Sequence, residues 1–298
     1  MLINNLYHLT GLTDENGGIE SIVVQEHAEI FVIRVSKVDG ALVLGEEITL
    51  DNQLFKSGSQ VRVLDILQCA TGDASALVGL DETPVAVCTI SPLNPDFAYQ
   101  FNKYIPNDDL NERASYLAID TLIKTENGEI PIADIKLGDR VITRDHGYQT
   151  VRWIKNDIVP SKGPFAPLKL SADILGIYKD LVVTPGQSLL ISGALSELYL
   201  GADETLVTAQ FLENGQTIAR CESDFIEVAQ LMFDQHEIIW ANGCLCASLK
   251  PPAAAQMGSF NSSGSKAGFD RPEKSTKLVA ARSSCRRYEG RVIAAALL

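Results

Sequence analysis

Cysteine and histidine are the side chains most often used for metal binding and nucleophilic chemistry, and this chain has six cysteines and four histidines. The cysteines occur at positions 69, 88, 221, 244, 246 and 285, without a Cys-x-x-Cys pair. Cys244-Leu245-Cys246 is the closest pair and suggests metal or redox chemistry, but no histidine adjoins it. The spacing therefore predicts mostly buried, reduced thiols, with no metal site and no cofactor.

The first ninety residues predict a β-rich domain in which no chemistry converges. Runs of Val, Ile and Leu with period-two alternation, separated by turn clusters such as Asp39-Gly40, lie at 22–24, 29–35, 41–44, 61–66 and 85–90. This pattern is typical of an antiparallel sandwich or barrel. His8 and His27 stand alone in it, so we interpret them as surface or core residues.

Proline-rich breakers mark a boundary after this region, because Pro92, Asn94-Pro95 and Pro106-Asn107-Asp108-Asp109 cannot lie inside a sheet ladder. Strand patterns resume at Leu117 and run to about Cys246, with segments at 121–124, 140–143, 148–154, 179–183 and 188–191. We therefore predict a β-rich N-terminal domain over 1–112, a second β-domain over 113–250, and a linker and tail over 251–298.

The last part of the chain combines a low-complexity linker with a basic tail. Residues 251–276 are rich in Pro, Ala, Gly, Ser and Lys, which is typical of a mobile linker. In the tail, four arginines at 282, 286, 287 and 291 precede the apolar run 292–298. Such a basic amphipathic helix can bind a membrane surface or dock onto the acidic body of the protein through its arginines, and we favour docking.

The overall composition excludes some functions. The chain has 46% hydrophobic and 21% charged residues, a soluble globular composition. A net charge of −13 repels phosphate backbones, so we expect no nucleic-acid partner. No window approaches 18 uninterrupted apolar residues, and the N-terminus lacks the basic and apolar regions of a signal peptide. We expect no membrane span, and a cytoplasmic or non-classically exported protein.

Four segments, in this order, carry a resemblance to a known family. They are Asp120-Thr121-Leu122-Ile123 with 128–141, Val151-Arg152-Trp153-Ile154, the segment 181–190, and the segment 231–243. Each is weak alone, but their order and spacing are jointly specific. They resemble the bacterial Hedgehog/intein (Hint) autoprocessing domains, in particular an alphaproteobacterial-type branch. The resemblance implies an all-β, horseshoe-like Hint fold over about 115–249, preceded by a smaller β-rich N-terminal domain.

The resemblance also implies a chemistry. In such domains a Cys or Ser at the first position attacks the preceding carbonyl, while a Thr and a His stabilise the oxyanion and protonate the leaving nitrogen. The family spacing, counted back from Thr121, places Tyr116 at the nucleophile position, with Ser115 one residue upstream. In the segment 181–190, the family spacing places Thr184 at the threonine position and Gln187 where the histidine is expected.

Other positions of the family pattern are also altered. Gln230 occupies a position that is often histidine in this branch, and the terminal His-Asn pair, whose asparagine cyclises in inteins, falls on Ala247-Ser248. Asp234 and His236 are retained. Their structural interpretations are a turn cap for Asp234 and a solvent-facing side chain for His236, with Thr184 bonding a neighbouring backbone group.

Three functions remain open from the sequence. A degenerate Hint module, not an enzyme, can serve as a binding or structural unit for an unknown protein partner. A residual self-cleaving protein can use Ser115 in an N–O acyl shift, helped by Thr184 and Asp234. A cargo protein can use the Hint part to present or export its N-terminal domain. Glutamine cannot pass a proton at neutral pH, so Gln187 favours the first function, and Ala247-Ser248 excludes splicing.

Overall fold

The computed structural model describes residues 1–8, 10–13, 19–24, 28, 30–50, 53–69, 74–89, 93–94, 96–103, 115–251 and 280–298. Strands dominate these ranges, and the α-helices within them are α1 (Ala194–Leu200) and α2 (Arg287–Ala296). The prediction of an all-β protein is therefore confirmed. None of the helices in the described ranges is long and apolar enough to cross a membrane.

The chain forms two compact units. Unit 1 comprises Met1–Arg113, Asp157–Ala166 and Glu222–Glu227, and unit 2 comprises Ala114–Asn156, Pro167–Cys221 and Val228–Leu298. Two short segments from the second half of the sequence thus belong to unit 1. The domain limits 1–112, 113–250 and 251–298 stay a prediction.

Unit 1 is built on one antiparallel sheet of nine strands. The strands in the described part of 1–103 are β1 (Leu2–His8), β2 (Thr10–Thr13), β3 (Ile19–Val24), β4 (Ile30–Val38), β5 (Ala41–Leu44), β6 (Ile48–Leu50), β7 (Gln53–Phe55), β8 (Val61–Cys69), β9 (Ala74–Leu80), β10 (Thr83–Cys88) and β11 (Tyr99–Lys103). Their order in the sheet is β2-β3-β11-β8-β9-β10-β1-β4-β5, and β6 pairs with β7 as a separate hairpin.

Strand β9 shows why alternation alone did not reveal every strand. All seven of its residues are buried. Ala76 and Val78 contribute to one apolar cluster, while Leu77, which points to the opposite face, contributes to another. A strand with both faces covered reads as a continuous apolar run, so its sequence lacks the period of two.

The second half of the chain contributes two further sheets. Its strands are β12 (Leu117–Ala118), β13 (Leu122–Thr125), β14 (Gly128–Pro131), β15 (Arg140–Thr143), β16 (Gly147–Thr150), β17 (Trp153–Pro160), β18 (Leu168–Leu170), β19 (Leu181–Val183), β20 (Ser188–Ser192), β21 (Glu204–Thr208), β22 (Ile218–Arg220), β23 (Phe225–Met232), β24 (Ile238–Ala241) and β25 (Cys244–Ala247). One sheet has the order β17-β23-β12-β19-β18-β22, and the other β14-β13-β15-β24-β25-β20-β21 with β16 beside β15.

The single strand predicted over 148–154 is wrong, since β16 and β17 are separate strands. The chain leaves the first ladder at Val151, whose N–H donates to Asp139 O (2.9 Å), and the N–H of Arg152 donates to Met232 O (2.9 Å). Between these two residues the chain passes from one sheet to the other. Helix α1 was not predicted, because seven residues are too short to show a clear helical period.

The main core of unit 2 is a cluster of buried aliphatic side chains that includes Leu168, Leu181, Leu189 and Ile239, joined by Ile293 from α2. The tail therefore docks onto unit 2, as the sequence favoured, and its apolar face takes part in the docking. The predicted linker over 251–276 lies outside the described residues except for its first residue.

The cysteines agree with the prediction of mostly buried thiols. Cys69, Cys88, Cys244 and Cys246 are buried, and the six cysteines, all within the described ranges, form no disulfide. A hydrogen bond with Cys244, together with burial, holds the pKa of the Cys246 thiol well above its ordinary value, so this side chain is a neutral core residue.

Candidate functional site

The short strand β12 fixes the backbone around Ser115 and Tyr116. In the six-stranded sheet β12 lies between β19 and β23, and Leu117 pairs with Val183 on one side and Ala229 on the other. The residues that follow these two partners along the chain are Thr184 and Gln230. Both neighbouring strands thus bring a polar side chain to the Ser115–Tyr116 peptide bond.

Thr184 holds the nitrogen side of this peptide bond. Its Oγ1 accepts a hydrogen bond from the N–H of Tyr116 at 2.8 Å, and its own N–H donates to Tyr116 O at 3.0 Å. The hydroxyl in turn donates to Tyr116 O (3.3 Å). The side chain is 2% exposed, so these bonds are shielded from water. The interpretation of Thr184 as a residue that bonds a neighbouring backbone group is confirmed.

Gln230 holds the carbonyl side of the same peptide bond. Its Nε2 donates a hydrogen bond to the carbonyl oxygen of Ser115. When a nucleophile attacks a carbonyl, negative charge builds on this oxygen, and a donor placed there stabilises the charge. The Ser115–Tyr116 bond is therefore contacted at its oxygen by a donor and at its nitrogen by an acceptor.

Gln187 lies beside Ser115, and all of its amide atoms are engaged. Its Oε1 accepts a hydrogen bond from Ser115 Oγ (2.9 Å), while its Nε2 donates to Ser188 O (3.0 Å) and to Ala247 O (2.9 Å). Two carbonyl acceptors on one side fix which end of the amide is nitrogen. Buried to 2% exposure, Gln187 has neither a titratable proton nor a donor left for the nitrogen of Tyr116.

The two hydroxyl-bearing side chains at the start of the domain are poorly suited to attack a carbonyl. The Ser115 hydroxyl donates to a neutral amide oxygen, which cannot take its proton at ordinary pH. Tyr116 is 7% exposed, and its side chain is a bulky, rigid phenol.

Asp234 is held in a surface ion pair. Its carboxylate binds the guanidinium of Arg152 (2.9 Å), and 40% of the Asp234 side chain is exposed. Among the described residues no hydrogen bond joins it to Ser115, Thr184 or Gln187. The interpretation of Asp234 as a turn cap is replaced by this pair, and the structure does not bring Asp234 into the cluster formed by the other candidates.

His236 does not face solvent, contrary to the expectation. It is half-buried, and its Nδ1 accepts a hydrogen bond from the N–H of Ala281 (3.1 Å) in the tail. Burial holds the pKa of His236 below its ordinary value, and the nearby Lys250 adds to this effect. The imidazole is therefore neutral at pH 7, as an accepting nitrogen requires.

A charged cluster that the sequence analysis missed lies elsewhere in unit 2. The carboxylate of Glu237, 2% exposed, pairs with His146 Nδ1 at 3.0 Å. This hydrogen bond and the charge of Glu237 raise the pKa of His146. Ser248 also contacts Glu237, since its Oγ accepts a hydrogen bond from the backbone N–H of Glu237 at 3.0 Å. The partners are 91 residues apart, and no local pattern links them.

Comparison with known proteins assigns to a family the part of the chain that contains the two sheets and the polar cluster around Ser115. Residues 116–253 match the family model described as "Hint domain". This part of the chain is therefore a Hint domain, and a further β-region precedes it. No curated protein matches the chain.

Among solved structures, the chain is similar to several inteins. With the gp41-1 intein it shares 11% identity, covering 44% of this chain and 96% of that one, at a TM-score of 0.29. The MchDnaB-1 intein gives 13% identity, 45% and 99% coverage, and a TM-score of 0.32. A DnaB intein from Synechocystis sp. PCC 6803 gives 16% identity, 45% and 98% coverage, and a TM-score of 0.29.

Proposed function

We propose that the Hint domain of this chain is a degenerate member of the alphaproteobacterial-type branch that neither splices nor cleaves itself, and that it serves as a binding or structural module. The proposal rests on the hydrogen bonds of the Gln187 side-chain amide. Both of its donor hydrogens bind backbone carbonyls, so nothing at this position protonates the nitrogen of Tyr116. An amide leaves poorly unless its nitrogen is protonated.

The two ends of the domain support the same proposal. At the start, the phenol of Tyr116 stands where a thiol or hydroxyl is needed. At the far end, Ala247 supplies only its carbonyl to Gln187, and the hydroxyl of Ser248 binds the backbone of Glu237. Asparagine cyclisation therefore has no reactant. Loss of one catalytic group costs about two to four orders of magnitude in rate, and here an acid and a nucleophile are both missing.

The alternative is residual self-cleavage at Ser115 by an N–O acyl shift. The polar side chains beside Ser115 suggest it, but Gln230 and Thr184 hold the Ser115–Tyr116 bond, whereas an N–O acyl shift at Ser115 transfers the preceding acyl group from the Ser115 nitrogen to its hydroxyl oxygen. Against it, the hydroxyl of Ser115 donates to an amide oxygen and has no base there. A role as a presentation or export module for the N-terminal unit is a third proposal, which is compatible with an uncleaved chain.

The intact mass of the full chain tests the proposal. The freshly purified protein is incubated for days at neutral pH, with and without a thiol or hydroxylamine, and compared with its Ser115→Ala variant. We expect one species of the encoded mass in every sample. A fragment that begins at Ser115 and is absent from the variant would establish the self-cleaving alternative instead.

A further inference from the structure

The tail adds a strand segment to the open edge of a sheet. Strand β21 is the last strand of the eight-stranded sheet, with β20 on its inner side. On its outer side, the N–H of Leu206 donates to Ser283 O (2.9 Å), and the N–H of Cys285 donates to Leu206 O (2.9 Å). Leu206 and Ser284 thus pair in parallel. Backbone pairing at a free sheet edge is a general way for a domain to bind an extended peptide.

Helix α2 follows directly and fills a groove beside this edge. Gly290, Ile293 and Ala294 are its buried residues. A Cβ added at Gly290 would lie 2.5 Å from Cβ of Phe211, so only glycine permits this close approach. The end of the helix is fixed by Thr217, whose hydroxyl donates to Leu297 O at 3.0 Å.

Charged residues anchor the other end of the tail. The guanidinium of Arg282 binds Asp145 at 2.7 Å and Glu204 at 2.6 Å. Next to it, the N–H of Ala281 donates to His236 Nδ1. A single arginine thus meets two carboxylates of an acidic domain, while Arg291, on the outer side of α2, is exposed.

These contacts are contained in residues 281–298, apart from the Hint domain in sequence. The family match ends at 253, and the residues between the two are rich in Gly, Ser, Ala and Lys, a linker composition. We propose that unit 2 has a peptide-binding site, the tail groove, formed by the β21 edge, the 3₁₀ turn Ala209–Leu212 and the carboxylates of Asp145 and Glu204. Its tethered ligand is the chain's own tail, and its ligand from outside is the tail of a second copy.

The tether determines which ligand occupies the groove. The stretch 254–280 separates the family match from the tail, and a tether of this length keeps the tail near its groove at an effective concentration on the order of millimolar. At micromolar protein, each copy therefore binds its own tail, and exchange between copies becomes visible when the tether is cut or the protein is concentrated. This inference gives the proposed binding module a ligand, but it does not depend on whether Ser115 cleaves.

The test uses the full chain with a protease recognition sequence inserted between Ser263 and Gly264. After complete cutting, verified by mass, a fluorescent peptide of residues 280–298 is added, and its anisotropy is followed. We expect saturable uptake that unlabelled peptide reverses. The same mass spectra report any cleavage at Ser115, so failure of the proposed function is distinguished from failure of this inference.

Three peptide variants make the test specific. Arg282→Glu should weaken binding at least about tenfold, whereas Arg291→Glu, the same charge change on the outer side, should alter it less than about twofold. Gly290→Ala should also weaken it at least about tenfold, although alanine is a better helix former than glycine. Loss of helix therefore cannot explain that result.

Several outcomes would overturn the proposal. If the cut tail stays bound and no labelled peptide enters, the tail is an integral part of the fold and not a ligand. Equal weakening by Arg282→Glu and Arg291→Glu would mean general attraction to an acidic protein.

For the second copy, the intact chain should form dimers on sedimentation at about millimolar concentration, and its Gly290→Ala variant should not. A wild-type chain that stays monomeric there refutes exchange between copies.

Discussion

The Ser115–Tyr116 peptide bond and the carboxylate of Glu237 both lie in unit 2, but their surroundings differ in kind. Around the peptide bond, the partners are the hydroxyl of Thr184 and the amides of Gln187 and Gln230, none of which titrates near neutral pH. Around Glu237, the partner is a histidine with a raised pKa. The titratable pair of His146 and Glu237 thus lies apart from the Ser115–Tyr116 bond, and the side chains that contact this bond or Ser115 carry no group that exchanges a proton near neutral pH.

The largest expected effect comes from returning a nucleophile and an acid to the held bond. The double variant Tyr116→Cys with Gln187→His should release an N-terminal fragment in the presence of a thiol, at a rate at least about a hundredfold above that of the wild-type chain. Time courses of intact mass measure it, with each single variant as a control. A double variant that folds normally and never cleaves would show that the contacts of Thr184 and Gln230 do not hold a reactive geometry.

The contact of Thr184 can be tested through stability. Thr184→Val removes the acceptor of a buried N–H and should lower the free energy of unfolding by about 1–3 kcal/mol, because that donor then has no partner. Urea unfolding measures the change. Thr150→Val, at a partly exposed strand position in the same unit, serves as the matched control and should change little. Equal effects of the two variants would mean that the Tyr116 N–H finds another acceptor.

The charged cluster predicts a pH dependence of definite sign. Because the folded pKa of His146 is raised above 6.5, its pairing with Glu237 stabilises the fold fully below about pH 6.5, and this contribution is lost as the pH rises through the folded value. Glu237→Gln should move the pKa of His146 back toward 6.5. NMR titration of the imidazole protons measures this, with His236 as an internal reference that should not shift.

The smallest effect is expected at Asp234. In the background of the double variant, Asp234→Asn should leave the cleavage rate unchanged within about twofold, since the carboxylate pairs with Arg152 on the surface. Loss of an exposed pair should cost at most about 1 kcal/mol of stability. A large loss of cleavage with normal folding would return Asp234 to the site and break the contrast between the two regions.

The sequence predicted the fold and part of the site, and the limits have physical reasons. Spacing between the four blocks located Tyr116, Thr184 and Gln187, because strand order in a known fold brings distant segments together. The direction of the Gln187 amide was not predictable, since it depends on two carbonyls, those of Ser188 and Ala247, that only the folded backbone places there.

The residues that were misjudged share a cause. Asp234 and His236 were interpreted from their own segment, but their partners, Arg152 and the N–H of Ala281, come from distant parts of the chain. Glu237 was missed for the same reason, as its partner His146 lies in the turn between β15 and β16. The sequence pattern within one strand predicts which of its residues are buried. It does not predict which charged side chain from a distant element will lie next to them.

The pairing of the tail with β21 also bears on aggregation. Thr205, Leu206 and Val207 form the middle of this strand and are buried, and a bare apolar sheet edge is a template for pairing with other chains. In this protein the tail occupies that edge through the backbone of Ser283 and Cys285. A chain that ends where the family match ends, at residue 253, would leave this edge unpaired. By covering the edge, the tail prevents it from pairing with a sheet of another molecule.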